Sequence, residues 1–118
     1  MARLATLGKV EIAVTVITYE EQVRGRLDLM SRAKTIDEKV RAYQWLHQLT
    51  VDYRSITVIP FTQAAASEHQ RLRKAYPRLG NMDLRIAAIT LTNQATLVTR
   101  NQSDFGQIEG LQTIDWTK

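Results

Sequence analysis

The chain has 118 residues, a length suited to one domain with one hydrophobic core. Hydrophobic residues make up 44% and charged residues 24%, and there is no cysteine, which excludes disulfides, thiolate metal sites and cysteine catalysis. The formal net charge is +4, and eleven of the sixteen basic residues are arginine, whose planar fork suits phosphate. The balance is compatible with a nucleic-acid partner and equally with a solvated basic surface.

No apolar run approaches the roughly 20 residues needed to span a bilayer. Met1 to Val10 lacks the long apolar stretch of a signal peptide. With the missing cysteines, this reads as a cytoplasmic protein with no membrane association. There is no repeat and no low-complexity linker, so residues 1–118 read as one domain.

Ala2 to Leu7 reads as a helix. Glu11 to Thr18 (EIAVTVIT) is β-branched and nearly apolar throughout, as in a strand buried on both faces of a parallel sheet. Tyr19 to about Ala33 has Val23, Leu27 and Met30 at helical spacing, with Gly25 weakening the pattern. Thr35-Ile36-Asp37-Glu38 is a capping box. It opens an amphipathic helix whose stripe is Ile36, Val40, Tyr43, Leu46, Leu49 or Thr50, and Tyr53. Ser55 to Phe61 reads as a second strand, and Pro60 places it at an edge or ends it there. Thr62 caps a helix through Ala64, Ala65, Glu68 and Leu72, broken by Pro77 and Gly80. Asn81 or Met82 opens another to about Asn93, with Ile86, Ala87 and Ile89 or Thr90 inward. Ala95 to Thr99 is a third strand and Leu111 to Asp115 a fourth. Alternating strands and helices imply an α/β protein built on a parallel sheet with right-handed crossovers.

In such sheets ligands bind beyond the carboxyl ends of the strands. That rule selects Glu20 and Glu21 after the first strand, Asp83 at a helix start, and Asn101 and Asp104 after the third strand. Clustered carboxylates suit hard divalent cations such as Mg²⁺ or Mn²⁺, which can activate water against a phosphodiester. Acids near helix N-termini are also favoured by the helix dipole with no metal present, so position alone leaves both readings open. Trp45 and Trp116 read as packing residues, and His47 and His69 lack zinc-ligand spacing. Arg71, Arg73 and Lys74 read as a solvated helix face, while Arg85 and Arg100 adjoin site candidates and are suited to a phosphate contact.

Four segments together carry a resemblance. They are Val16 to Gly25 (VITYEEQVRG), Met82 to Ala88 (MDLRIAA), Ala95 to Phe105 (ATLVTRNQSDF) and the close Ile108-Glu109-Gly110-Leu111 through Trp116. In this order and spacing the chain resembles a PIN domain of the VapC-type toxin group, over roughly residues 10 to 117. The resemblance implies a three-layer fold with a parallel sheet flanked by helices. It implies Glu21, Asp83 and Asp104 as catalytic, metal-binding acids, with Asn101 and Thr99 as polar neighbours and Glu20 beside the site. It further implies bound Mg²⁺ or Mn²⁺, cleavage of single-stranded RNA, inhibition by an antitoxin protein, and a homodimer.

The chain departs from that pattern at its start. Such PIN domains begin with a short apolar strand that lies centrally in the sheet and ends in Asp, the first metal ligand. Met1 to Val10 contains neither Asp nor Glu. The expectation is therefore a domain without its first central strand and one acid short. Closure of the gap, a strand exchanged from another copy, a separate small chain, or a natural start further upstream would each account for it. Two further readings follow: a catalytically impaired remnant that binds a partner chain, either an antitoxin or a missing PIN fragment, and a general RNA-binding module.

Overall fold

The computed structural model describes residues 3–5 and 12–115. Their order is β1 (Arg3–Ala5), β2 (Ile12–Thr15), α1 (Val16–Arg32), α2 (Ile36–Asp52), a 3-10 turn (Tyr53–Ser55), β3 (Thr57–Ile59), α3 (Gln63–Ala75), α4 (Asn81–Thr92), β4 (Thr96–Val98), α5 (Gln102–Phe105) and β5 (Gln112–Ile114). The five strands form one sheet in the order β3-β2-β1-β4-β5. β2 pairs parallel with β3, in register Val14 to Val58, and β4 pairs parallel with β5, in register Leu97 to Thr113.

β1 is antiparallel to both its neighbours, with Leu4 opposite Ala13 on one side and Leu97 on the other. Strands β2, β3, β4 and β5 therefore all point the same way. This corrects the N-terminal expectation over Arg3–Ala5, which is strand and not helix. The helix propensity of Arg, Leu and Ala is worth tenths of a kcal/mol per residue. Pairing on both edges satisfies the backbone donors and acceptors that a central gap would leave open. The central position expected to be vacant is thus filled, by a strand that runs opposite to its neighbours.

The first long strand is also shorter than its composition suggests. Glu11 lies outside the described residues, and the strand ends at Thr15. Thr15 is extended (φ −77, ψ 154) and its Oγ1 accepts from the Thr18 backbone N–H at 3.2 Å, an N-cap that starts α1 at Val16. Val16, Ile17 and Thr18 are β-branched, so their composition favours strand. Burial of Ile17 and Thr18 in the first helical turn outweighs that preference. The other caps form where the residues indicate. Thr35 and Glu38 close their reciprocal box at 3.1 and 3.0 Å, and Thr62 Oγ1 accepts from the Ala65 N–H at 3.2 Å. β3 is an edge strand that ends just before Pro60, and Ser55 belongs to the turn before it.

The expected α2 stripe splits: Leu49 is buried and Leu46 and Tyr53 are half-buried, while Ile36, Val40 and Tyr43 face outward. Ala42 and Leu49 are buried, whereas Ile36 is 74% exposed and Tyr43 60%. Among the described residues α2 packs chiefly on α1, so only the side that faces α1 is covered.

The core centres on α4. Leu84 and all of Ile86 to Thr90 are buried, packed against Ala65 and Leu72 of α3, Leu97 of β4, Ile17, Phe105 and Ile108. Thr90 turns its hydroxyl back to the Ile86 carbonyl at 2.8 Å, which satisfies it inside the core. Among the described residues no helix is long and apolar enough to cross a membrane. Replacing Leu84, which is wholly buried, with alanine is expected to cost about 2–5 kcal/mol of stability. Urea unfolding checks this, and a loss below about 1 kcal/mol would contradict the assigned core.

Candidate active site

Because β2, β3, β4 and β5 share one direction, their carboxyl ends open on one rim. There a cleft of about 210 Å³ is lined by Thr18, Glu21, Asp83, Ile86, Thr99, Arg100, Asn101 and Phe105. Each polar group arrives by a local rule. Thr18 and Glu21 come from the first turns of α1, one turn apart, directly after the Thr15 cap. Asp83 stands in the first turn of α4, whose buried residues begin at Leu84. Thr99, Arg100 and Asn101 follow the end of β4.

The segment after β4 is tightly tied. Thr99 is buried, and its Oγ1 accepts from the Asn101 backbone N–H at 3.0 Å. Asn101 donates through Nδ2 to Asp104 Oδ2 at 3.0 Å and accepts the Ser103 hydroxyl at 3.0 Å. Gly106 ends α5 where a Cβ would lie 2.5 Å from the Gln102 carbonyl oxygen, so this bend suits glycine.

The electrostatics are those of carboxyls drawn partly out of water with like charges beside them. Burial pushes the Glu21 carboxyl above its ordinary value, and the charges of Asp83 and Glu20 push it further. Burial likewise raises Asp83, with Asp104 adding to it. Glu21 is an exposed residue overall, yet its carboxylate borders the cleft and loses water there.

The sequence candidates divide accordingly. Glu21, Asp83, Thr99, Arg100 and Asn101 border one cleft. Asp104 does not border it, but its charge reaches Asp83 and its carboxylate anchors Asn101. Glu20 turns aside to Arg24 in an ion pair of 2.5 Å. Arg85 lies off the cleft and donates to the Met82 sulfur at 3.5 Å. Thr18, Ile86 and Phe105 were not singled out from sequence. Thr18 was absorbed into the apparent strand, and the signal for it was the hydroxyl of Thr15 three residues earlier.

All the donors at the cleft are oxygens, which suits a hard cation. Among the described residues no three acids or histidines converge closely enough to enclose an ion by themselves. A cation held by two carboxylates and otherwise hydrated fits the set, as is common for Mg²⁺.

No protein-family model matches the chain. Among curated proteins it is 30% identical over 108 residues to "Ribonuclease VapC1" of Haemophilus influenzae strain R2866, covering 91% of this chain and 75% of that protein. The protein of the same name from strain KW20 Rd is 29% identical over the same shares. Among solved structures, VapBC-1 from nontypeable Haemophilus influenzae matches with a TM-score of 0.77 at 23% identity, over 95% of this chain and 79% of that one. VapBC2 from Rickettsia felis, bound to a DNA fragment from its promoter, matches with a TM-score of 0.69 at 26% identity, over 88% and 74%. VapBC-5 from Mycobacterium tuberculosis, of the VapBC family of toxin–antitoxin systems, matches at 0.63 and 26%, over 86% and 79%. The chain belongs to the VapC ribonuclease family, with the PIN-type α/β fold.

The raised carboxyls carry a prediction about stability. A carboxyl whose folded pKa is raised favours the protonated folded state, so its stabilising effect is present at low pH and is lost as pH rises through the folded pKa. At pH 7 the charged pair therefore costs stability. Asp83→Asn and Glu21→Gln should each melt higher than the wild type at pH 7, the gap closing as pH falls towards the ordinary values of 3.8 and 4.5. Melting curves between pH 3 and 7 check it; variants less stable at pH 7 would contradict the repulsion.

Proposed function

We propose that this chain is a metal-dependent endoribonuclease of a toxin–antitoxin pair, cutting single-stranded RNA at the Glu21–Asp83 cleft. The observation that carries the reading is that two carboxylates from separate helices border one cleft with Asn101 and Arg100, each held above its ordinary pKa by burial and like charge. Such a cluster is destabilising unless a cation is its working partner.

Glu21 and Asp83 would hold Mg²⁺ or Mn²⁺, with Asp104 as a third acid behind them. When bound, the ion would supply Lewis acidity, activating water and neutralising phosphate charge. The chain's own residues set the geometry. α4, locked in the core, fixes Asp83, and the Thr99–Asn101–Asp104 hydrogen bonds hold the polar wall opposite α1. Arg100 borders the cleft and would meet RNA phosphate there. The solved relatives named VapBC support a cognate antitoxin as partner. The apolar groove along α2, lined by Ile36, Val40 and Tyr43 among others, supplies surface of the kind a protein partner covers.

A second reading has one observation in its favour, the lack of a self-sufficient triad of ligands among the described residues. On that reading the chain binds its partner but cuts poorly alone. A folded chain that binds an antitoxin and leaves RNA intact with Mg²⁺ or Mn²⁺ present would favour it.

The test is cleavage of a single-stranded RNA in Mn²⁺ or Mg²⁺. Glu21→Gln and Asp83→Asn should each slow cleavage by about 100-fold or more, the scale of removing one fixed electrostatic group. Chelation should abolish it. Equal cleavage by wild type and both variants would overturn the proposal.

A further inference from the structure

The core grips the two acid-bearing helices unequally. Asp83 is followed at once by the buried run of α4, whereas the buried residues of α1 are Ile17 and Thr18, both in its first turn. Glu21 lies beyond them, on a helix that packs chiefly on α2. The rotation at which Glu21 meets the cleft therefore needs another support.

That support comes from a residue 31 positions away from its partner. Tyr53, which ends α2, donates its hydroxyl to Gln22 Oε1 at 2.5 Å. Its ring meets the Tyr19 ring edge-on, with centroids 4.8 Å apart and planes at 75°. Tyr19, Gln22 and Tyr53 are all half-buried. Tyr19 and Gln22 are three residues apart and share a face of α1. Thr18 and Glu21 are also three apart, on the face about 100° round the axis. A rotation of α1 that carried Glu21 out of the cleft would break both the hydrogen bond and the ring contact. Tyr53 is itself fixed, because its backbone N–H donates to the Leu49 and Val51 carbonyls at the end of α2.

We infer that Tyr53 is a positioning residue for Glu21: through Gln22 and Tyr19 it sets the rotation of α1 at which the Glu21 carboxylate borders the cleft. Groups that orient a metal ligand from behind carry about 10–100-fold of the affinity at many metal sites.

The inference rests on the ribonuclease reading, and the test separates the two. Mn²⁺ binding is followed by the loss of the free ion's EPR signal, well below the melting temperature of each variant, with Asp83→Asn marking the site. Tyr53→Phe, which keeps the ring and removes the hydroxyl, should weaken Mn²⁺ binding by about tenfold. Gln22→Met removes the same hydrogen bond from the other side and should do likewise, which decides the matter if Tyr53→Phe does not fold. Tyr76→Phe removes another half-buried hydroxyl bond, to the Glu109 N–H at 2.8 Å, and should stay within about twofold. Raising Mn²⁺ in proportion should restore RNA cleavage by Tyr53→Phe. If Tyr53→Phe or its Gln22→Met counterpart binds Mn²⁺ as tightly as the wild type, or Tyr76→Phe weakens binding equally, the positioning role is overturned and the ribonuclease reading stands. If the wild type neither binds Mn²⁺ at the Asp83 site nor cuts RNA, both are overturned.

Discussion

The partial burial of the Glu21 and Asp83 carboxylates, with like charge from Asp83 on Glu21 and from Asp104 on Asp83, is the constraint on which the candidate site depends, and it persists because α4 cannot yield. Left to themselves, two acids at the mouth of a helix pair would turn apart into water. Asp83, however, is followed at once by Leu84 and the wholly buried run Ile86 to Thr90. Rotating the helix to relieve the carboxylates would expose several core side chains, each worth about 1.5–3 kcal/mol of burial. The packing energy of α4 is therefore what holds the acids in place. Burial first, and then like charge, raises both carboxyls above their ordinary values in the position the core imposes.

The sheet supplies the other half of the geometry. Four strands of common direction deliver their carboxyl ends to one rim, and each candidate site residue lies within a turn or so of such an end or of the helix start beside it. β1 contributes by closing the sheet between its two parallel pairs, at the cost of running against both. Three ladder residues suffice to link Ala13 with Leu97 across the middle, so the rim that carries Glu21 and the rim that carries Asn101 belong to one continuous sheet.

Much of this was legible in the residues where local chemistry decides structure. The capping hydroxyls of Thr35 and Thr62, the break at Pro77 and Gly80, and the position of Asp83 at a helix start all follow from side chains within a few positions. The choice of Glu21 over Glu20 came instead from the resemblance; in the structure Glu21 borders the cleft and Glu20 is tied to Arg24. What was not legible depended on partners remote in sequence. Val16 to Thr18 look like strand by composition and become helix because Thr15 caps them and the core buries them. Arg3 to Ala5 look helical and become strand because both neighbours offer ladders. The apolar stripe of α2 marked a helix correctly, and its Leu46 and Leu49 turn inward, but it could not say that Ile36, Val40 and Tyr43 would be left uncovered. Asp104 reaches the site indirectly through Asn101, and the meeting of Tyr53 with Tyr19 and Gln22 has no short-range signal at all.

The central question is whether the partly buried acids are a cation site. Mn²⁺ added to isotope-labelled protein broadens the NMR signals of residues near it, and reports location without requiring RNA or turnover. Selective broadening is expected at Glu21, Asp83, Asn101 and Asp104 at substoichiometric Mn²⁺, and is expected to be lost in Asp83→Asn. Broadening centred elsewhere, or a pattern unchanged by that substitution, would contradict it.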